Sequence, residues 1–333
     1  MRFGTVAIVG RTNVGKSTFL NAALGEPLAI VSPRPQTTRD ALLGVVHRPD
    51  LQIAFVDTPG LHRPRTELGR RMNAAAHEAA RTTDLVVFMT DVSTLTLSRD
   101  RAEKTPLLDE DIALLKAIPE GATCLVVINK IDLLKDKARL LPMLAALSEL
   151  RPIAASVPVS AWTTDGVDRV LDAIRDLLPE GPAGYAETTL TDRPTKFFVR
   201  EYIREQVLIA TSSEVPHASA ISVDEFSDTA KIAIIKATIH VEKAGQRAIM
   251  VGAGGAKIKE IGIGARKRLE ELLGKKVHLE LHVRISPRWK SMPRQLAELG
   301  YDDTAGAGTT HNLDPLESTP EGADEGDTDH DDQ

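Results

Sequence analysis

The chain has 333 residues and a formal net charge of −6, from 41 Lys and Arg against 47 Asp and Glu. This length suggests about two domains, and the 42% hydrophobic and 26% charged residues exclude a largely disordered chain. We expect no membrane helix, because no apolar run approaches the roughly 18 residues that one needs, and no secretory leader, because no charged segment and apolar stretch precede the first strand. The single cysteine, Cys124, excludes an internal disulfide framework and a multi-cysteine zinc site.

Residues 1–180 are predicted to form a doubly wound α/β domain with a mostly parallel sheet, because short β-branched runs alternate with longer helical patterns. The second and third strands are separated by little more than Arg48-Pro49-Asp50, which predicts a hairpin with one antiparallel edge strand. The predicted strands span residues 5–9, 42–47, 51–56, 85–90, 124–128 and 156–159. The predicted helices span residues 15–24, 68–81, 109–117, 138–150 and 167–178.

A change of pattern after residue 180 indicates a second unit. The Pro- and Gly-rich run that starts at Pro179 is expected to end the last helix, and residues 181–194 are predicted to form a linker. Residues 195–301 are predicted to form a smaller α+β domain with the element order αββααβ. Its elements are expected at residues 197–210, 221–226, 232–241, 256–261, 265–273 and 277–285. Residues 302–333 contain too few large apolar side chains to offset the entropy of ordering, so we expect an acidic disordered tail.

The net charge hides an uneven distribution. The predicted tail, residues 302–333, holds 11 acidic residues and no Lys or Arg, whereas residues 193–301 hold 19 basic and 12 acidic residues. Such asymmetry indicates an acidic tail beside a candidate nucleic-acid surface. The tail either contributes solubility or masks the basic surface until RNA displaces it.

A phosphate-binding loop is predicted between the first strand and the first helix, where the chain matches the pattern GxxxxGK[ST]. The run is Gly10-Arg11-Thr12-Asn13-Val14-Gly15-Lys16-Ser17, followed by Thr18. Glycines let the backbone fold around phosphates, the helix N-terminus supplies positive potential, Lys16 reaches the β and γ oxygens, and Ser17 ligates Mg²⁺. Alone, the pattern indicates a nucleoside triphosphate site, with a structural glycine turn as the alternative.

A second contact with the phosphates is predicted after the third strand, at Asp57-Thr58-Pro59-Gly60. The carboxylate of Asp57 stands where a metal-bridging group belongs, and the N–H of Gly60 can donate to the γ-phosphate. Four residues make a weak match, and a β-turn is the alternative interpretation.

Base recognition is predicted at Asn129-Lys130-Ile131-Asp132, which follows another apolar strand. The carboxylate of Asp132 can accept hydrogen bonds from N1–H and the 2-amino group of guanine. Adenine offers neither donor and would leave that charge unpaired, at a cost of roughly 1–3 kcal/mol. Helix capping is the alternative. Ser160-Ala161, at the end of the last strand, is expected to close the site through backbone contacts to the purine oxygen.

The four motifs follow one order, each at the end of a separate strand, so they converge on the sheet edge where α/β proteins bind ligands. In this order they resemble the GTPases with five consensus loops, which implies GTP or GDP with Mg²⁺. The resemblance assigns the fifth loop to Gln36-Thr37-Thr38-Arg39-Asp40. Thr38 is then the second protein ligand of Mg²⁺ when a γ-phosphate is present, with Thr37 as the alternative. Lys16 and Thr38 are the residues expected to serve catalysis.

Two positions in this resemblance bear on the rate of hydrolysis. Leu61 stands where many GTPases carry a glutamine that orients the attacking water, so we expect slow intrinsic turnover, on the order of 10⁻⁴ to 10⁻² s⁻¹. Asn13 has an amide that could help hold a monovalent cation against the phosphates, as in some GTPases of this group. K⁺ stimulation is therefore a hypothesis, and a purely structural Asn13 is the alternative.

The second unit contains a GxxG turn at Gly252-Ala253-Gly254-Gly255, followed by Lys257-Ile258-Lys259 and Ile261. In a KH module this turn brings the backbone against the phosphates of about four single-stranded nucleotides. Lys257, Lys259 and Arg266 can supply charge, while Ile258 and Ile261 are expected to form an apolar floor under the bases. An ordinary loop with a solvated charged face is the alternative.

A five-loop GTPase followed by a linker and a KH-like unit resembles the Era family of bacterial ribosome-assembly GTPases over about residues 1–301. The resemblance implies a KH type II domain, binding to 16S rRNA near its 3′ end and to the 30S precursor, and a cytoplasmic location with peripheral membrane contact. We expect a monomer. The chain departs from the family at Thr12, where proline is common, and over residues 286–291, which are less acidic than usual.

Other functions fit parts of the pattern. A nucleotide-gated RNA-binding adaptor would share every motif, with hydrolysis incidental. A GTPase coupled to tRNA modification should carry a folate-binding-type region and a C-terminal cysteine motif. An ATP-dependent P-loop enzyme is disfavoured by Asp132.

Overall fold

The computed structural model describes residues 1–32, 34, 37–61, 64–96, 106–212 and 214–301, together with the backbone of 315–317. Two sheets of different size organise these ranges, with six strands in the first and three in the second. None of the helices within them is long and apolar enough to cross a bilayer.

The larger sheet confirms the predicted doubly wound fold. Its strands are β1 (Arg2–Val9), β2 (Leu42–Arg48), β3 (Leu51–Asp57), β4 (Leu85–Asp91), β5 (Cys124–Asn129) and β6 (Ala155–Pro158). They lie in the order β2-β3-β1-β4-β5-β6. Only the pairing of β2 with β3 is antiparallel among them, which is the hairpin that the short connection predicts.

Among the described residues, five helices cover the two faces of this sheet, so its central strands are buried on both sides. They are α1 (Lys16–Leu24), α2 (Glu67–Thr82), α3 (Asp109–Ala117), α4 (Leu140–Leu150) and α5 (Val167–Leu177). In α5 the residues at helical spacing, Val167, Val170, Leu171 and Ile174, are buried. Cys124 is buried in β5, and burial raises the pKa of its thiol to about 11, which makes it an inert part of the core.

The predicted linker is partly structured. It contains the strand β7 (Thr189–Pro194), which pairs antiparallel with the short backbone strand β11 (Pro315–Glu317). The side-chain oxygen of Gln52 accepts hydrogen bonds from the backbone N–H groups of Gly184 (2.7 Å) and Tyr185 (2.9 Å). These contacts hold the linker against the first sheet. Within the predicted disordered tail, β11 is the one segment that the structure describes; the remainder lies outside the described residues.

The second unit has the predicted order αββααβ. Its helices and strands are α6 (Thr195–Ala210), β8 (Ser219–Asp228), β9 (Ile232–Val241), α7 (Ala244–Val251), α8 (Ala256–Leu273), β10 (Lys276–Ile285) and a closing α9 (Pro293–Glu298). The sheet order is β10-β9-β8. β9 runs antiparallel to β8 and parallel to β10.

The two middle helices differ from the prediction. The sequence indicated separate helices over 256–261 and 265–273, but these residues form the single helix α8, and α7 was not predicted. The predicted gap, residues 262–264, includes Gly262 and Gly264. Gly264 allows close packing, because a Cβ atom there would lie 2.1 Å from the side-chain oxygen of Gln206.

A small apolar cluster joins the two units. Leu68 and Met72 of α2 pack in it with Trp289, Leu299 and Tyr301, which follow the last strand of the second unit. The indole of Trp289 is fully buried and donates to the carbonyl of Ala218 at 3.0 Å. Because burial of large aromatic side chains is strongly stabilising, the segment after β10 fastens the second unit to α2.

Candidate functional site

The phosphate loop lies between β1 and α1, as its pattern predicts. Gly15 adopts a φ of +104°, and a Cβ atom there would lie 2.2 Å from the amide nitrogen of Asn129, so only glycine fits. The buried Lys16 donates from Nζ to the carbonyls of Gly10 (3.1 Å) and Arg11 (3.0 Å). The ammonium therefore spans the loop, where incoming phosphate oxygens can compete for it.

Burial sets the protonation chemistry of Lys16. The pKa of Lys16 is lowered to about 8. Desolvation by burial is the main cause and the charge of Arg11 adds to it, while the Asp57 carboxylate opposes both. A phosphate group placed at the ammonium would favour the charged form.

Three oxygen-bearing side chains meet beside the loop. Ser17 Oγ lies 2.7 Å from Asp57 Oδ2 and 2.8 Å from Thr38 Oγ1, and Thr38 Oγ1 lies 3.2 Å from Asp57 Oδ2. The Thr37 hydroxyl instead donates to the carbonyl of Arg34 at 2.9 Å, so Thr38 is the threonine that faces the predicted metal position. Gln36, the first residue of that motif, lies outside the described residues.

The donor set fits Mg²⁺. Asp57 is fully buried, and its Oδ1 atom has no hydrogen-bond partner among the described residues. Burial raises the pKa of Asp57, although Lys16 and the hydroxyls of Ser17 and Thr38 oppose this. A hard divalent cation would satisfy the orphaned oxygen and keep the carboxylate ionised, and Mg²⁺ prefers such oxygen ligands.

The loop after β3 closes against the phosphate loop. The hydroxyl of Thr58 donates to the carbonyl of Ile8 at 2.7 Å, which orients the turn that continues through Pro59. A Cβ atom on Gly60 would lie 2.6 Å from the side chain of Thr12, so glycine is required for this approach. The N–H of Leu61 donates to the carbonyl of Gly10 at 3.4 Å.

The cavity between these loops has further walls that the motifs did not predict. Its lining residues are Thr12, Asn13, Gly15, Lys16, Ser17, Thr18, Ile30, Val31, Ser32, Thr37, Thr38 and Gly60. The segment 30–32 carries no motif, and its place was decided by the path of the chain from α1 to β2.

The base-recognition motif lies at the end of β5. Asn129 is buried, and its amide donates to the carbonyl of Val14 at 2.8 Å while its oxygen accepts from the N–H of Ala161 at 2.9 Å. Because the N–H of Ala161 is bonded to Asn129 here, the backbone contacts of Ser160-Ala161 with the purine oxygen stay a prediction. Asn129 thus ties three loops together.

The residues around this tie complete the base-binding corner. Lys130 has a left-handed backbone (φ 64°) and donates from Nζ to the carbonyl of Asn13 at 2.8 Å. Ile131 is buried and Asp132 is exposed beside it. The buried Ser160 accepts from the N–H of Thr163 at 3.3 Å, which shapes the last loop.

The GxxG turn of the second unit lies between α7 and α8. Gly252, Gly254 and Gly255 have positive φ values of 72°, 57° and 83°, and Ala253 completes the turn. Such a conformation favours glycine. The N–H of Gly252 donates to the carbonyl of Ala248 at 2.9 Å and the N–H of Gly255 to the carbonyl of Gly252 at 3.2 Å, which fixes the shape of the turn.

A groove of about 460 Å³ lies beside this turn, between α8 and β10. Its lining residues are Ile258, Lys259, Gly262, Ile263, Arg266, Val277, His278, Leu279 and Leu281. The groove joins predicted residues of α8 with residues of β10 that motif analysis missed; the alternation of apolar residues in β10 was the signal available for them.

Two predicted RNA-binding residues have different surroundings from those expected. Ile261 is fully buried in the core, so it supports α8 from below and does not form the floor of the groove. The ammonium of Lys257 lies 2.7 Å from the carboxylate of Glu260, which partly neutralises its charge.

Family models match both units. A model described as 50S ribosome-binding GTPase matches residues 5–130, and one described as KH domain matches residues 214–290. The first model covers the phosphate loop and Asp57-Thr58-Pro59-Gly60 but ends before Asp132, and the second covers the GxxG turn.

This chain aligns with curated relatives over nearly the whole length of each relative. The GTPase Era of Geobacter metallireducens is 41% identical over 304 residues, covering 90% of this chain and 98% of the relative. The GTPase Era of Mycobacterium tuberculosis is 41% identical over 302 residues, with the same coverage.

Solved structures agree. A crystal structure of Era in complex with MgGDPNP and nucleotides 1506–1542 of 16S ribosomal RNA has a TM-score of 0.84 at 34% identity, covering 91% of this chain and 99% of that one. A variant of Aquifex aeolicus Era bound to GDP and AlF4⁻ has a TM-score of 0.80 at 34% identity, covering 91% of this chain and 100% of that one. With both units matched in one order along the chain, the protein belongs to the Era family of GTPases.

Proposed function

We propose that this GTPase is a switch that binds 16S rRNA through its KH domain and acts in assembly of the 30S subunit. The observation that carries the proposal is that the side chains of Ser17, Thr38 and Asp57 lie within hydrogen-bond distance of one another. Residues of the second unit contact the loop around Thr38. We take residues 1–180 as the GTPase domain, 181–194 as the linker, 195–301 as the KH domain and 302–333 as the tail.

The residues of the first domain account for the chemistry of hydrolysis. Ser17, Thr38 and Asp57 hold Mg²⁺, which neutralises charge on the β and γ phosphates. Lys16 stabilises the charge that develops as water attacks the γ-phosphorus and the bond to the β-phosphate oxygen breaks. Leu61 contributes no group to this step, which favours slow turnover without a partner or an additional cation.

Arginines of the second domain and the linker hold the segment 37–41 on both sides of Thr38. Arg204 donates to the carbonyl of Thr37, and Arg193 donates to the carbonyl of Ala41. Arg200 forms an ion pair with Asp40 at 2.6 Å, and the two side chains are 12% and 8% exposed. Charge-assisted hydrogen bonds in buried surroundings are strong. A change in the position of Thr38 therefore has to be transmitted to the second domain.

Arg39 reaches in the opposite direction, from the first domain into the second. It is 4% exposed and donates to the carbonyl of Ser219 at 2.7 Å and to the hydroxyl of Tyr301 at 3.3 Å. Its guanidinium also lies 5.8 Å from the centre of the Trp289 ring. These contacts support a coupling in which ordering of Thr38 by the γ-phosphate and docking of the KH domain favour each other.

The nature of the RNA follows from the relatives. The matched Era structure contains nucleotides 1506–1542 of 16S ribosomal RNA, and this chain has the same two domains in the same order. Action on the 30S precursor implies a cytoplasmic location. Peripheral membrane contact and a monomeric state stay predictions from the family resemblance.

The adaptor alternative makes a different demand on the nucleotide. An adaptor would support 30S maturation with a non-hydrolysable GTP analogue as well as with GTP, whereas a switch stalls after binding. Single-turnover assembly assays in the two nucleotides separate these functions.

We expect Asp132→Asn to lose the preference for GTP over XTP. The amide can no longer accept from both N1–H and the 2-amino group, a loss of roughly 1–3 kcal/mol, or about 5- to 150-fold in the ratio of dissociation constants. Competition against a fluorescent GDP analogue measures that ratio. Asp172→Asn, an exposed carboxylate on α5, is the control. An unchanged ratio in Asp132→Asn would contradict guanine recognition by this residue.

We expect turnover to be several-fold faster in K⁺ than in Na⁺ buffers of equal ionic strength. An amide oxygen at Asn13 can help hold a cation of the size of K⁺ against the phosphates, where its positive charge stabilises the charge that develops during hydrolysis. Phosphate release under single-turnover conditions measures the effect, and Asn13→Ala should remove the difference. Equal rates in the two salts for the unmodified protein would leave Asn13 with a structural role only.

We expect Arg39→Ala to weaken binding of a non-hydrolysable GTP analogue about 10-fold or more while changing GDP affinity little. The reason is that hydrogen bonds from a charged group contribute about 1.5–3 kcal/mol, and Thr38 is engaged only with a γ-phosphate. Titration calorimetry with both nucleotides tests this. Arg48→Ala, whose ion pair with Asp168 is exposed, is the matched control. Equal losses for both nucleotides would rule out a role specific to the GTP state.

We expect Gly254→Asp to weaken binding to a 16S rRNA 3′-end fragment about 10-fold at 0.15 M salt, because it places a negative charge among the phosphates. Among the described residues nothing lies within 4 Å of the added Cβ, and Asp tolerates its φ of +57°. Gly274→Asp, at a φ of +61° and equally open, is the control outside the groove. Filter binding and crosslinking in GTP and GDP measure the outcome; equal affinity of Gly254→Asp and the unmodified protein would contradict RNA binding at this turn.

A further inference from the structure

One buried carboxylate contacts both the phosphate loop and the base-recognition motif. Asp91, the last residue of β4, is 1% exposed. Its Oδ1 atom accepts from Arg11 Nη2, and its Oδ2 atom lies 2.6 Å from Lys130 Nζ. Arg11 belongs to the loop that surrounds the phosphates, and Lys130 to the motif that reads the base. No motif pointed to Asp91, because it lies at the end of a strand for which the sequence predicted no function.

Arg11 and Lys130 each have additional hydrogen-bond partners besides Asp91. Arg11 Nε lies 3.3 Å from Asp111 Oδ2, and the same oxygen accepts from the hydroxyl of Thr90 at 2.8 Å. Lys130 Nζ also donates to the carbonyl of Asn13 at 2.8 Å, so the base motif reaches the backbone of the phosphate loop itself. Asp91 is the group that these two chains of contacts share.

Electrostatics favours an ionised Asp91 despite its burial. Burial raises the pKa of the carboxyl, but hydrogen bonds from Lys130 and Ser93 and the charge of Arg11 outweigh this effect, and the pKa lies below its usual range. Removing a charge from such a buried cluster leaves the opposite charges without their partner, which is costly. The cluster is therefore expected to act as a unit.

The conformation of Lys130 links this cluster to the base. Its φ of 64° is unusual for a residue with a side chain and is kept only where the surroundings hold it. Among the described contacts, the ammonium of Lys130 is held by Asp91 and by the carbonyl of Asn13. Asp132, the predicted guanine reader, follows two residues later in a tight 3₁₀ turn over Ile131–Leu133. Loss of the hold on Lys130 releases the backbone that aims Asp132.

We propose that Asp91 is a positioning residue that couples guanine recognition to phosphate binding, by fixing Arg11 and Lys130 on one carboxylate. The inference rests on the proposed GTP site, within which it adds a residue that touches neither the base nor the phosphates. Discrimination between bases should then depend on Asp91, a β4 residue that lies outside the base-recognition motif.

The test is the ratio of dissociation constants for GDP and IDP, because IDP lacks only the 2-amino group that Asp132 accepts from. We expect Asp91→Asn to reduce the preference for GDP over IDP by about 5-fold or more, the size of coupling seen between residues of one network. We expect Asp91→Glu to restore part of it. Asp168→Asn removes an exposed carboxylate at the same 2.6 Å from an arginine and should leave the ratio unchanged.

A double variant separates positioning from general destabilisation. If Asp91 acts through Asp132, Asp91→Asn should not change the ratio further in an Asp132→Asn background. Equal losses of GDP and IDP affinity in Asp91→Asn, with a lowered melting temperature, would overturn the proposal and leave a purely structural ion pair. Should Asp91→Asn fail to fold, Arg11→Lys keeps the charge but cannot reach both Asp91 and Asp111, and it is expected to reduce the ratio in the same direction; an unchanged ratio overturns the proposal.

The same data distinguish failure of this inference from failure of the proposed function. Absence of any preference for GDP over IDP in the unmodified protein would contradict guanine recognition by Asp132. A normal preference that Asp91→Asn leaves intact would contradict only the role of Asp91.

Discussion

The contact of the Asp57 carboxylate with the hydroxyls of Ser17 and Thr38 is the interaction on which the rest of the structure depends. It joins the end of β3, the start of α1 and the loop before β2 at one point. The parallel sheet makes the meeting possible, because neighbouring parallel strands end at the same edge. The orphaned oxygen of Asp57 then explains why the arrangement suits a divalent cation.

The loop that carries Thr38 is stabilised by contacts with both domains. Arg39 reaches into the second domain, and Arg204 reaches back to the carbonyl of Thr37. Such contacts give the γ-phosphate a mechanical route to the RNA-binding unit without any contact between nucleotide and RNA. On the opposite side of the site, Asp91 provides a comparable link between the phosphates and the base. The nucleotide site is thus held on one side by hydrogen bonds from arginines to backbone carbonyls and on the other by the ion pairs of the buried Asp91.

Local patterns predicted most elements of the first domain, since strand ends coincide with motifs whose spacing is strict. They failed in the second domain where glycine served packing. The gap predicted between two short helices includes Gly264, but α8 continues through it, and the position packs against Gln206 of α6. Ile261 looked like part of the RNA surface, but helical spacing cannot say which of two apolar surroundings, core or groove, a residue faces.

From residue types and spacing alone the chain predicts its chemistry: a phosphate loop, metal binding at Asp57, guanine recognition at Asp132 and a GxxG turn. These are properties of residue type and of the local order of residues, so they can be read without the fold. Only the tertiary structure decided which distant groups share a contact. Arg204 donates to the carbonyl of Thr37, which is 167 positions away in the chain, and Lys130 donates to Asp91, which is 39 positions away. No local pattern encodes such pairs, because they depend on how the sheet, the linker and the second domain pack.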